Sequence, residues 1–156
     1  MGSRQILLVE DNADDAELAV RAFRSGNAAD EIVVARDGEE AIDTLLGSQS
    51  VAPTTLPALV LLDLKLPVLD GFGVLSRIRA NPRTRFLPVI VLTSSIELRD
   101  VTTAYRLGAN SYIRKPISFK DFLGAAKLIT DYWLSLNQTP PAGIAGREAE
   151  DMEARR

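Results

Sequence analysis

Two acids, Glu10 and Asp11, follow the apolar run Ile6-Leu7-Leu8-Val9, and a third, Asp63, follows Ala58-Leu59-Val60-Leu61-Leu62. A hydroxyl, Thr93, ends the run Pro88-Val89-Ile90-Val91-Leu92, and an ammonium, Lys115, comes directly after Ser111-Tyr112-Ile113-Arg114. Short runs of β-forming apolar residues read as buried strands, so each group stands where a strand would deliver it to a sheet edge. Carboxylates gathered at one edge repel one another and require a cation. Oxygen donors with open positions suit Mg2+, which keeps several waters and also takes phosphate oxygens. With a hydroxyl and an ammonium opposite, the set has the parts for phosphoryl chemistry: a metal and a lysine to neutralise the transferred group, and Asp63 as nucleophile. Singly, each group has a plainer reading. Glu10-Asp11-Asn12 can start a helix, Thr93-Ser94-Ser95 can be a polar loop, Lys115-Pro116 can be surface, and Asp63 can open a loop. It is their joint arrival, each at the end of its own strand, that points to chemistry.

The elements that must position them alternate strictly. Strands are expected at Ile6–Val9, Ile32–Ala35, Ala58–Asp63, Pro88–Thr93 and Ser111–Arg114. Helices are expected over Ala13–Arg24, from an Asp37 cap to Leu46, from an Asp70 cap to Asn81-Pro82, over Ile96–Leu107, and from a Ser118 cap to about Leu136. Ser25-Gly26-Asn27 stops the first helix, and Gly47–Pro57 reads as an extended surface loop. Such alternation predicts an α/β fold: a doubly wound, parallel five-stranded (βα)5 sheet with right-handed crossovers. In the flavodoxin-like order 2-1-3-4-5, strand order reverses between the first and third strands, which sets Glu10, Asp11 and Asp63 side by side. One domain is expected over residues 1–137. Residues 138–156 are expected to be a C-terminal extension, flexible or engaged in contacts with another copy, with Arg147–Arg155 a candidate short helix.

Composition excludes other chemistries. The 156 residues contain no histidine and no cysteine, which removes disulfides, thiolate nucleophiles, Ser-His-Asp triads and the usual zinc sites together. A net charge of −3 and no basic run argue against nucleic acid as a partner. The N-terminus runs straight into a strand and no apolar stretch is long enough to span a bilayer, so the expectation is a cytoplasmic protein without a signal peptide or membrane contact.

The segments I-L-L-V-E-D-N, V-L-L-D-L-K-L-P-V-L-D-G, V-I-V-L-T-S-S and A-N-S-Y-I-R-K-P-I together make the chain resemble the receiver domain of two-component response regulators, the CheY-like superfamily, from Gln5 to about Asn137. The resemblance implies that Asp63 accepts a phosphoryl group from a phosphohistidine on a sensor histidine kinase or phosphotransfer protein. It implies Mg2+ held by Asp11 and Asp63 directly, by Glu10 through water, and by the backbone carbonyl of Lys65. It further implies that Thr93 bonds a phosphoryl oxygen, that Lys115 pairs with the phosphate, and that Tyr112 is the aromatic that moves inward with Thr93. By itself, Tyr112 reads equally well as a half-buried strand aromatic. The protein would be a signalling phosphoacceptor rather than an enzyme, its only catalysis being autophosphorylation from small donors and self-dephosphorylation. Lys65 and Ser95, two residues beyond Asp63 and Thr93, would tune that hydrolysis.

With no output domain following, the chain resembles single-domain regulators. The long loop, the L-D-L-K-L-P form and the ending Tyr132-Trp133-Leu134-Ser135-Leu136-Asn137 look like regulators associated with phytochromes, which makes a bacteriophytochrome a candidate kinase and a homodimer the expected assembly. In the last helix Phe119, Phe122, Leu123, Ala126, Ile129 and Trp133 are core-spaced, while Leu128, Tyr132 and Leu136 form a second apolar line suited to a dimer surface. Two further readings stand beside this one. A Mg2+-dependent aspartyl phosphohydrolase would need an acid two residues after the nucleophile, where Lys65 stands. A phosphorylation-independent adaptor would be expected to lack an acceptor or metal residue, and none is missing.

Overall fold

The computed structural model describes residues 4–25, 31–47 and 55–140. Five strands, β1 (Gln5–Val9), β2 (Glu31–Ala35), β3 (Leu59–Leu62), β4 (Val89–Thr93) and β5 (Ser111–Arg114), form one sheet in the order β2-β1-β3-β4-β5. Every neighbouring pair is parallel. Five helices, α1 (Ala13–Ser25), α2 (Gly38–Leu46), α3 (Gly71–Ala80), α4 (Leu98–Arg106) and α5 (Phe119–Thr130), connect and cover it. This is the flavodoxin-like fold that the alternation predicts.

Strand side chains alternate between faces, which divides the core in two. Ile6, Leu8, Leu59, Leu61, Ile90 and Leu92 pack with Ala16, Ala19, Ala22 and Phe23 of α1 and Phe122, Ala126 and Ile129 of α5. Leu7, Val9, Val60, Leu62, Val89 and Val91 pack with apolar residues of α2 and α3 and with Ala104 of α4. The three central strands are buried on both faces, which is why they read as continuous apolar runs. Full burial of each such side chain is worth about 1.5–3 kcal/mol.

The expected caps form. Asp37 accepts from Glu40 N at 2.8 Å, Asp70 from Gly73 N at 2.9 Å and Ser118 from Asp121 N at 3.1 Å, each worth about 1 kcal/mol. Four expectations need correction. Helix α4 starts at Leu98 instead of Ile96, because Ser95 Oγ donates to Asp100 Oδ2 at 2.6 Å and accepts from Glu97 N, holding the intervening residues in a loop. Leu56 and Pro57, at the end of the supposed surface loop, are buried, and Leu56 belongs to the core. Phe119 is partly exposed under the Arg21 guanidinium, 5.3 Å from its ring centroid, and Leu123 is half-buried, because α5 packs against α1 along a narrower stripe than its apolar spacing suggests. Finally, the α-helical geometry of α5 stops at Thr130 and a π-helical turn, Asp131–Leu136, follows. That turn lets adjacent Trp133 and Leu134 both pack on the core while Tyr132 and Leu136 face outward. The stop at Gly26-Asn27, most of the loop after Gly47 and the Arg147–Arg155 segment lie outside the described residues.

At the N-terminal ends of β4 and β5, Arg79 from the last turn of α3 ties three segments together. Its Nε donates to Gly108 O at 2.9 Å, Nη1 to Arg85 O at 3.0 Å and Leu87 O at 2.7 Å, and Nη2 to Asn110 Oδ1 at 2.8 Å. Asn110 Oδ1 also accepts from Val89 N at 2.8 Å, so the entries to both strands hang on one guanidinium.

Candidate functional site

The opposite edge, at the C-terminal ends of the strands, is where the sequence places its chemistry. The sheet ladder continues one residue beyond the strands there: Glu10 N donates to Ala35 O at 2.9 Å, Asp63 N to Val9 O at 3.1 Å and Lys115 N to Thr93 O at 2.8 Å. The backbones of the key residues are therefore held by the sheet itself. Beyond Asp63 the chain turns sharply. Leu69 N bonds Pro67 O at 2.8 Å around Val68, whose φ of 70° is unusual for a β-branched residue. Gly71 then starts α3 so close to the strand end that a Cβ there would lie 2.3 Å from Asp63 O.

Glu10, Asp11 and Asp63 come together with carboxylate oxygens within 4.8 Å of one another. Glu10 and Asp63 are buried, whereas Asp11 is exposed. Lys115 Nζ sits among them, 2.9 Å from Asp63 Oδ2, 2.9 Å from Asp15 Oδ2 and in contact with Glu10 Oε1. Burial pushes the Glu10 carboxyl up to about 7; the Lys115 hydrogen bond opposes this shift and the nearby Asp63 charge adds to it. Burial also disfavours the Lys115 ammonium, but its bonds to Glu10, Asp63 and Asp15 outweigh that and carry its pKa upward, so it is charged at neutral pH. Three carboxylates thus share this ammonium, with Asp11 beside them.

Thr93 Oγ1, at the end of β4, is buried and has no hydrogen-bond partner among the described residues. Buried polar atoms are normally satisfied, which sets this hydroxyl apart from the capped and paired ones elsewhere in the fold. Tyr112 is half-buried on β5, and its hydroxyl donates to Ser95 O at 2.9 Å. Its pKa is raised, chiefly by burial. Lys65 is exposed; its N–H points to Asp63 Oδ1 at a long 3.4 Å. Leu128, Tyr132 and Leu136 are 73%, 47% and 70% exposed among the described residues, on the last helix and its π turn, and the Tyr132 ring meets Trp133 edge-on with centroids 5.0 Å apart.

The oxygen-only donor set fits Mg2+: three carboxylates converge, and two of them are buried where an unbalanced negative charge is costly. Asp15 escaped the sequence reading because it belongs to the charged face of α1. Its position in the first turn of α1, just past the acids that follow β1, was the available signal. The plain reading of Asn12 holds as well, since its side chain caps α1 at Asp15 N, 2.9 Å away.

Comparison with known proteins agrees with this geometry. Residues 6–127 match the family model for the response regulator receiver domain. A probable methanogenesis regulatory protein, FilR2, from Methanothrix harundinacea is 44% identical over 86% of this chain and 86% of its own length. The response regulator Rcp1 from Synechocystis is 36% identical over 88% of this chain and 93% of its own, and its Mn(2+)-bound structure superposes with a TM-score of 0.78. The phosphorylated cyanobacterial phytochrome response regulator RcpA superposes with a TM-score of 0.82 at 37% identity, covering 89% of this chain and 99% of that one. The bacteriophytochrome response regulator AtBRR gives 0.70 at 44% identity over 88% of this chain and 100% of its own. Sequence, fold and the acidic cluster at the sheet edge lead to one conclusion: this chain belongs to the response regulator receiver domain family, signalling proteins of two-component systems, and is related to phytochrome-associated regulators.

Proposed function

We propose that Asp63 accepts a phosphoryl group in a Mg2+-dependent reaction and that the modified chain signals through an altered surface. The observation that carries this reading is the buried Asp63 carboxylate, held between Glu10, Asp11 and Lys115 on a sheet edge where the Thr93 hydroxyl has no partner. A carboxylate oxygen of Asp63 forms the new O–P bond as the P–N bond to a phosphohistidine donor breaks. Glu10, Asp11, Asp63 and the Lys65 carbonyl would hold Mg2+, which when bound neutralises charge on the transferred group. Lys115 exchanges a carboxylate for a phosphoryl oxygen, and Thr93 donates its hydroxyl to another.

The modification adds about −1.5 to −2 charges. Thr93 and Lys115 then gain a partner that exists in that state alone, which is what shifts a two-state equilibrium. Tyr112, through Ser95 O, connects the loop after Thr93 to β5. The similarity to RcpA, Rcp1 and AtBRR supports a phytochrome-type histidine kinase as donor. The apolar line Leu128, Tyr132 and Leu136 supports a homodimer, and no helix among the described residues is long and apolar enough to cross a membrane. The test is incubation with acetyl phosphate and Mg2+ followed by intact mass. Wild type should gain one phosphoryl group and Asp63→Asn none; equal labelling of both, or none on wild type, refutes the reading.

A further inference from the structure

Lys115 has three N–H donors, and all three are taken, by Glu10, Asp63 and Asp15. To bond a phosphoryl oxygen it must release one of them. The Glu10 and Asp63 side chains are only 3% and 7% exposed, so without a metal a carboxylate abandoned there has no water to turn to. With Mg2+ bound, both would turn to the metal and leave Asp15 as the acid that still competes for the lysine. The Asp15 side chain is 41% exposed and can be hydrated at once. Asp15 is therefore the contact that yields. It reaches Lys115 from the first turn of α1, across the mouth of the site, and is not itself among the three converging carboxylates.

We propose that Asp15 is a positioning residue for Lys115: it tethers the ammonium in the unmodified state and competes with the phosphoryl group for it, which sets how strongly the modified state is favoured. The inference rests on the phosphoacceptor reading above. The competition has a sign for each ligand. An anion at Asp63 meets an ammonium that is already engaged and a further negative charge behind it, so Asp15 weakens its binding. A divalent cation meets one more negative charge and a lysine drawn to one side, so Asp15 strengthens its binding.

The test uses the full chain, calorimetry and two probes: Mg2+ alone, and beryllofluoride at saturating Mg2+ as a non-reacting phosphoryl analogue. Asp15→Asn should bind beryllofluoride about threefold to tenfold more tightly and Mg2+ more weakly by a similar factor, given a half-exposed charge in contact with the lysine. Asp15→Glu keeps the charge and should stay near wild type. Asp14→Asn removes the same charge one residue away on the exposed side of α1 and should move neither affinity. A merely structural role would shift both affinities in one direction, and that result overturns the tether. So does unchanged beryllofluoride binding in Asp15→Asn, or an equal effect of Asp14→Asn. If wild type binds no beryllofluoride, or Asp63→Asn binds it equally, the phosphoacceptor reading falls and the tether with it.

Discussion

Replacing Lys115 by methionine keeps the unbranched stem and removes the ammonium that, among the described residues, pairs with the acid cluster. Glu10 and Asp63, 3% and 7% exposed, then face each other without a counter-ion. Removing one partner of a buried ion pair costs about 3–5 kcal/mol. The Asp15 arm, 41% exposed, adds only about 0.5 kcal/mol because water screens it. One relief is available: the Glu10 carboxyl is already raised to about 7 and can take up a proton. Protonation limits the loss near neutral pH to about 2–3 kcal/mol. The pH dependence follows. A carboxyl whose folded pKa lies above its unfolded value binds more protons when folded, so stability falls as pH rises between the two. For Lys115→Met in EDTA the fall begins near the ordinary carboxyl value of 4.5 and continues past 7, by up to about 1.4 kcal/mol per pH unit. Millimolar Mg2+ supplies the missing cation and should return most of the loss. Urea unfolding followed by circular dichroism, with EDTA or Mg2+, near neutrality and one unit higher, measures all of this. A loss below about 0.5 kcal/mol in EDTA, or one that Mg2+ leaves unchanged, would show that the carboxylates are not balanced as argued.

Two other substitutions probe the scaffold. Arg79→Met removes four hydrogen bonds at the strand entries and should cost about 3–4 kcal/mol, less than their sum because Asn110 keeps its Val89 partner; acetyl phosphate labelling of the folded variant should be unchanged, and a labelling defect would mean that the two sheet edges are coupled. Val68→Gly exchanges a strained φ of 70° for a residue at ease there; the relief of about 1–2 kcal/mol exceeds the added chain entropy of about 0.5–1 kcal/mol. A urea midpoint lower than wild type would refute that strain.

Local signals served best where physics is local. Asp37, Asp70 and Ser118 cap their helices because a side-chain oxygen needs only the next turn of its own chain. The doubly buried strands announced themselves as apolar runs, and the acids at their ends inherited meaning from the topology. What stayed hidden depends on distant partners. Arg79 sits at a helix end where a cation is expected to face water, yet its acceptors come from residues 85, 87, 108 and 110. Asp15 meets Lys115 one hundred positions along the chain. Phe119 and Leu123 have core spacing, but α1 offers α5 a strip of alanines too narrow to cover them.

The π turn at the end of α5 works like a single slipped tooth on a gear. Each residue of an α-helix advances the azimuth by about 100°, so accommodating an extra residue resets the phase of everything after it by that angle. The slip is closed by Asn137 N on Tyr132 O at 2.6 Å, and it exists where Trp133 and Leu134 both take core positions. Leu136 and the residues that leave toward Pro140 take their bearing from that choice. The compass heading of residues 137–140 is therefore written in the core, by an indole and its neighbour, rather than by those four residues themselves.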